Sequence, residues 1–218
     1  KHVSPASGDL DDDGSLELLL GSASGRLALY EQSAEEPGQW QQRVYSYVAQ
    51  DVGNDAAPSV VDFDGDGDLD LLVGTSSGGL LWYENAGHPL APRWRSPVDL
   101  SAHFAFDDSV AGLAPAAGDI DRDGDQDIVV GDLSGDLHVC WNDGAFGAPV
   151  WGRISHNYLG LGTASRAVPA LADMDGDGDL DLLLGSGDGT VALYENTAVA
   201  GPAHWALADG LLGGLDVG

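Results

Sequence analysis

Nine residues, Asp62-Phe-Asp-Gly-Asp-Gly-Asp-Leu-Asp70, constrain this chain more than any other stretch, because the same frame recurs three more times. Carboxylates at positions 1, 3, 5 and 9 converge on one point when the backbone turns tightly, and glycine at position 6 permits a bend that a Cβ would obstruct. The four frames are Asp9, Asp11, Asp13 and Glu17 with Gly14; Asp62, Asp64, Asp66 and Asp70 with Gly67; Asp119, Asp121, Asp123 and Asp127 with Gly124; and Asp173, Asp175, Asp177 and Asp181 with Gly178. Position 7, held by Ser15, Asp68, Asp125 and Asp179, is expected to offer its backbone carbonyl. Carboxylates at alternate positions suit a hard divalent cation that takes about six to eight oxygens, whereas Mg²⁺ keeps its waters and zinc prefers His or Cys. The expected ligand is Ca²⁺, about one per loop.

An EF-hand would place a bidentate Glu at position 12, where this chain has Leu20, Val73, Val130 and Leu184. The flanks also read as strands rather than helices, with Pro58-Ser-Val-Val before the second loop and Leu69-Asp-Leu-Leu-Val after it. The loop is therefore expected inside a β-hairpin. A merely solvated acidic turn would have no reason to keep this frame four times.

The loops also explain the charge. The formal net charge is −28, and five acidic residues sit in each loop, so most of the acids have a stated place. Empty loops are expected to be strained by carboxylate repulsion. Only 8 Lys and Arg argue against nucleic acid as a partner. No apolar run approaches the roughly 18 residues of a membrane-spanning helix. The single Cys140 excludes an internal disulfide and a thiolate zinc cluster, and it aligns with Tyr30, Tyr83 and Tyr194, which predicts a core-filling role. The chain opens on Lys1 and its one Met is Met174, so it is expected to be a mature product or a piece of something longer.

The repeat is longer than the loop. Pro5, Pro58, Pro115 and Pro169 recur at intervals of 53, 57 and 54 residues, and Trp40, Trp94, Trp151 and Trp205 at 54, 57 and 54. Each loop is followed by an apolar run, a Gly-x-x-x-Gly punctuation such as Gly21 to Gly25, and a second apolar run ending near Tyr-Glu-Asn. Two runs joined so closely predict a tight hairpin. A divergent stretch then passes through the Trp into a more polar fourth segment, which predicts an outer edge strand. Four strands per unit without helical periodicity describe a propeller blade, so the expected fold is an all-β propeller of four-stranded antiparallel blades at about 1–53, 54–110, 111–164 and 165–218. The recurring Trp is expected between neighbouring blades.

These residues resemble the FG-GAP repeat family, the calcium-bearing blades of integrin α-subunit propellers and of secreted bacterial proteins with VCBS-type repeats. The resemblance rests on Ala57-Pro58-Ser-Val-Val and on Asp62 to Gly74, and it covers nearly the whole chain. It implies calcium at the Asp and Glu positions named above and an extracellular, secreted or cell-surface setting. Propellers of that family usually have seven blades and four are present here. The chain is accordingly read as a fragment of a larger ring, half of an eight-bladed ring made by two chains, or a closed four-bladed ring, with the first two favoured.

No catalytic constellation is visible. Gly74-Thr-Ser-Ser-Gly78 matches G-x-S-x-G, but that motif needs a strand-to-helix elbow and this one is expected to join two strands. Asp107 and Asp108 stand near His103, Phe104 and Phe106, and a solvated loop is the favoured reading there. His2, His88, His103, His138, His156 and His204 show no metal-ligand spacing, and His138 is expected to be packed or hydrogen-bonded. Binding is favoured over catalysis, with Arg93, Trp94, Arg95, His103, Phe104, His156 and Tyr158 as candidate ligand residues, beside Tyr45, Tyr47, Phe106 and Asn157. The expected function is a calcium-stabilised, non-enzymatic extracellular recognition or scaffold module for protein or carbohydrate ligands. The alternatives are the propeller part of a polysaccharide lyase or hydrolase, and a structural repeat of a fibre or surface layer.

Overall fold

Each acidic loop leads into a short apolar run, and each run forms the second strand of a four-stranded antiparallel sheet. The structure, a computed structural model, describes residues 3–33, 38–44, 46–48, 52–88, 92–104, 106, 110–144 and 149–209; Tyr45, Asp107, Asp108 and both chain ends lie outside the described residues. Blade 1 contains β1 (Val3–Gly8), β2 (Glu17–Ser22), β3 (Leu27–Gln32) and β4 (Trp40–Val44). Blade 2 contains β5 (Ala57–Val61), β6 (Asp70–Gly74), β7 (Leu80–Tyr83) and the two-residue β8 (Val98–Asp99), supplemented by an isolated bridge between Asn85 and Trp94. Blade 3 contains β9 (Ala114–Gly118), β10 (Asp127–Gly131), β11 (Leu137–Asn142) and β12 (Trp151–Ser155), and blade 4 contains β13 (Val168–Ala172), β14 (Asp181–Gly185), β15 (Val191–Asn196) and β16 (Trp205–Asp209). In every blade the strands lie in sequence order, so each sheet is built from one contiguous repeat. The only helical element among the described residues is one 3-10 turn, Tyr158–Gly160.

The inner strands β1, β5, β9 and β13 face a common axis and line a cavity of about 290 Å³ through Pro5, Pro58, Pro115 and Pro169. Each is the edge strand of its sheet, where a residue without an N–H donor leaves no ladder bond unmade. The β2-type strands pack between blades. Every residue of β6 and β10 is buried, because blades 2 and 3 have a neighbour on each face. Along β2 burial alternates, with Glu17, Leu19 and Gly21 turned inward, which is the period of a strand covered on one face.

Three hydrophobic clusters fill the three junctions. Leu19, Leu27 and Leu29 meet Leu71, Val73 and Tyr83 between blades 1 and 2; Leu72 and Leu80 meet Ile128, Val130 and Cys140 between blades 2 and 3; Val129, Val139 and Trp141 meet Leu182, Leu184 and Trp205 between blades 3 and 4. Among the described residues no such cluster joins blade 4 to blade 1. Cys140 is fully buried, and burial raises its thiol pKa, consistent with a packing role.

The acidic loops supply pegs to these junctions. Position 2 is Leu10, Phe63 or Ile120 in the first three loops, each buried against the following blade, whereas Met174 of the fourth is 47% exposed. Position 8 reaches the other way, Leu69 touching Gly8 and Leu180 touching Gly118, while Leu16 of the first loop is 57% exposed. The recurring Trp follows the same rule. Trp94, Trp151 and Trp205 pack at the junction with the preceding blade, as expected, but Trp40 of blade 1 is 42% exposed because no described residue precedes its blade there.

A glycine seam completes each junction. A Cβ on Gly21, Gly74 or Gly131 would collide with the backbone carbonyl of Ala56, Leu113 or Ala167 in the next blade. At Gly185 the nearest carbonyl is that of Val168 in its own blade, 3.5 Å away.

Candidate metal centres and ligand surface

Position 6 is glycine for its conformation and not for lack of room. Gly14, Gly67, Gly124 and Gly178 have φ of 85°, 96°, 98° and 89° with nothing within 4 Å of a hypothetical Cβ. The turn lets the position 6 N–H donate to the position 1 carboxylate, at 2.9 Å for Gly14 to Asp9 and 3.0 Å for Gly124 to Asp119. Carboxylate oxygens then gather in four groups: Asp9, Asp11 and Asp13; Asp62, Asp64 and Asp66; Asp119, Asp121 and Asp127; Asp173, Asp175 and Asp181. Within a group the atoms lie within 4.8 Å of one another, close enough to share one ion.

The electrostatics of these groups fit a cation. Asp11 Oδ1, Asp121 Oδ1, Asp125 Oδ1, Asp127 Oδ2 and Asp179 Oδ1 are buried without any hydrogen-bond partner. An unpaired buried carboxylate oxygen is costly unless a positive charge meets it. Burial pushes the carboxyl pKa of Asp127 up to about 8 and those of Asp70 and Asp125 to about 6, with neighbouring carboxylates adding to the effect. Glu17 and Asp70 at position 9, Asp123 and Asp177 at position 5, and the position 7 side chains of Ser15, Asp68, Asp125 and Asp179 lie in the same loops but outside the four groups.

Position 9 ties the loop to the rest of the blade. The Oδ1 atoms of Asp70, Asp127 and Asp181 accept from the backbone N–H of Asn85, Asn142 and Asn196, at 2.7, 2.8 and 2.8 Å, each 15 residues further on. Each Asn side-chain oxygen in turn accepts two backbone N–H bonds that shape the connection to the fourth strand, as Asn85 does from Gly87 and Arg93. This support was legible as an Asp-to-Asn interval repeated three times, but only as an interval.

Neighbouring loops also meet. Position 4 of one loop lies near position 7 of the next: Arg122 forms a 2.7 Å ion pair with Asp179, whereas the Asp12 carboxylate adds to the burial and the Asp66 charge that raise Asp68.

The candidate ligand residues do not form one site. Phe104 is fully buried against Trp151 and Phe106, so it belongs to the core and offers no surface. Trp94 packs edge-on against Tyr47, and Tyr158 lies between Trp141 and Trp205 with its hydroxyl donating to the Ala203 carbonyl. Arg93, Arg95, His103 and His156 are exposed, and Arg95 pairs with Glu84 at 2.7 Å. Gly74 to Gly78 opens the β6–β7 hairpin, with Thr75 Oγ1 accepting from the Gly79 N–H at 3.0 Å.

A second cavity, again about 290 Å³, opens where the β2–β3 type hairpins meet the links between blades, lined by Asp55, Ser76, Gly112, Leu133, Ser165, Arg166 and Gly187. Asp55, Gly112 and Arg166 are equivalent, each three residues before the inner-strand Pro, and all have positive φ, 52°, 63° and 40°. Glycine takes that conformation freely, but arginine does so at a cost of order 1 kcal/mol or more. No motif signalled these residues in the sequence.

Four-stranded blades with an acidic loop between the first and second strands define a β-propeller with acidic-loop blades. The chain belongs to the FG-GAP-like repeat family, which matches residues 9–73, 62–130 and 119–184, each span running from one loop through the second strand of the next blade. No curated protein matches the sequence. Among solved structures, an Agrocybe aegerita lectin described by its specific recognition of non-reducing terminal N-acetylglucosamine has a TM-score of 0.50 and 16% identity, over 93% of this chain and 51% of that one. The chain thus spans about half the length of that lectin, and the likeness is one of fold.

Proposed function

We propose that the chain is a calcium-stabilised, non-enzymatic recognition module working outside the cell, with carbohydrate as its ligand class. The observation that carries the calcium reading is the third loop, where Asp121 Oδ1 and Asp127 Oδ2 are buried, unpartnered and grouped with Asp119. Loops of this donor type serve extracellular modules at dissociation constants of about 10⁻⁴ to 10⁻³ M, which calcium outside cells fills. Carbohydrate is supported by the fold shared with a lectin and by the hairpin-side cavity, where the strained Arg166, Asp55 and two serines surround the apolar Leu133. Such a mixture suits the hydroxyl edges and apolar face of a sugar ring.

Calorimetric titration of chelator-stripped protein tests the metal, with about four Ca²⁺ per chain and a rise in melting temperature as the expected result. Absence of binding at millimolar calcium would sink it. The ligand class is tested by screening immobilised glycans, beginning with terminal N-acetylglucosamine, using wild type and Arg166→Gly. The variant is expected to melt higher, because glycine relieves the backbone, and to lose glycan binding. Equal binding by both proteins would remove this cavity from consideration.

A further inference from the structure

Blade 3 differs from its sisters at two positions that touch. Where blades 1, 2 and 4 begin their central hairpin with the hydroxyls of Ser22, Thr75 and Ser186, blade 3 has Asp132; where they carry Ala28, Leu81 and Ala192 on the third strand, blade 3 has His138. Asp132 still performs the hairpin role, its Oδ1 accepting from the Gly135 and Asp136 N–H groups at 2.9 Å each. Its Oδ2 is left for His138 Nε2 at 3.4 Å, and both side chains are buried. The other ring nitrogen, His138 Nδ1, faces Nδ1 of exposed His156 at 3.3 Å, with the rings 77° apart and Phe106 against both.

We infer that His138 and His156 form a two-histidine site for a borderline divalent ion, zinc above all, separate from the acidic loops. Two nitrogens each about 2.0–2.1 Å from one tetrahedral ion stand about 3.3–3.4 Å apart, which is the separation found here. The Asp132 carboxylate, 3.4 Å from Nε2, favours the tautomer of His138 with its proton on that nitrogen, which would leave the Nδ1 lone pair toward the gap, the carboxylate–histidine–metal arrangement of zinc sites. Nδ1 of His156 approaches from the solvent side. Two ligand positions remain for water or for donor atoms of a bound molecule.

The test is a Co²⁺ titration of the full chain in excess Ca²⁺, followed by visible absorption and then Zn²⁺ competition. Oxygen-lined loops give hexacoordinate Co²⁺ with weak absorption, whereas a four-coordinate nitrogen site gives an intense d–d band. One Co²⁺ per chain with that band, discharged by Zn²⁺ and absent in His156→Ala, is the expected result. His138→Leu installs the residue that blade 2 already carries, so it should fold and also lose the band. Asp132→Ser installs the hydroxyl used by blades 1 and 4 and should weaken binding about 10–100-fold. Wild type without the band, or His156→Ala retaining it, would overturn the inference and leave the two rings as a hydrogen-bonded pair.

Discussion

The buried carboxyl of Asp127 sets a pH dependence whose sign follows from its position. In metal-free protein the folded state keeps this proton up to about pH 8, while an unfolded Asp releases it near pH 4. Between those values the folded state binds more protons, so stability falls as pH rises. Asp70 and Asp125, raised to about 6, add the same sign over the lower part of that window. Melting in chelator should therefore occur at lower temperature at pH 8 than at pH 5, and Asp127→Asn should flatten the trend; a melting temperature that climbs with pH would contradict the burial argument. Calcium should abolish the fall, because the ion takes the place of the proton. A second residue-scale prediction concerns the loop-to-loop contact. Asp12 and Arg122 share a left-handed backbone, φ 57° and 64°, yet only Arg122 faces its neighbouring carboxylate with opposite charge. Asp12→Arg should pair with Asp68 and gain up to about 1 kcal/mol in denaturant unfolding, less at high salt.

At the scale of the strand and its junction, the glycine seam makes a sharp contrast. Gly131→Ala would drive a methyl into the Ala167 carbonyl and should cost roughly 1–3 kcal/mol or more, whereas Gly185→Ala meets only ordinary contacts and should be neutral or slightly stabilising. Paired urea denaturations of the two variants would decide it, and equal effects would mean that the seam is not a tight joint. Strands, hairpins and acidic loops were legible because each repeats a spacing: the Asp frame, the Pro and Trp intervals, the Gly-x-x-x-Gly turn. The His138 and His156 pair was not. The two residues are 18 apart and meet only once β11 and β12 are laid side by side, as Val139 opposite Ser155 records. Nor did composition separate Phe104, a core ring, from exposed aromatics, since its burial depends on Trp151 of the next blade. The left-handed trio Asp55, Gly112 and Arg166 escaped notice for a different reason: three unlike residues hide a shared backbone angle.

Across the molecule, and among the described residues, blades 2 and 3 are covered on both faces and blades 1 and 4 on one. Repeat proteins of this kind gain stability blade by blade from nearest neighbours. Amide hydrogen exchange in calcium should accordingly protect β6 and β10 most, with β2 and β14 opening first; uniform protection would mean that the terminal blades are braced by something other than these junctions. The seam has one more consequence. Because Gly21, Gly74 and Gly131 meet bare carbonyls, this part of the joint, unlike the side-chain clusters beside it, is written in main chain, and main chain is the same in every repeat. Such a joint carries no address. At the seam any repeat with its glycine in register would fit any neighbour, so what makes one junction differ from the next is left to the pegs beside it, Leu10, Phe63 or Ile120, and to the side chains they meet.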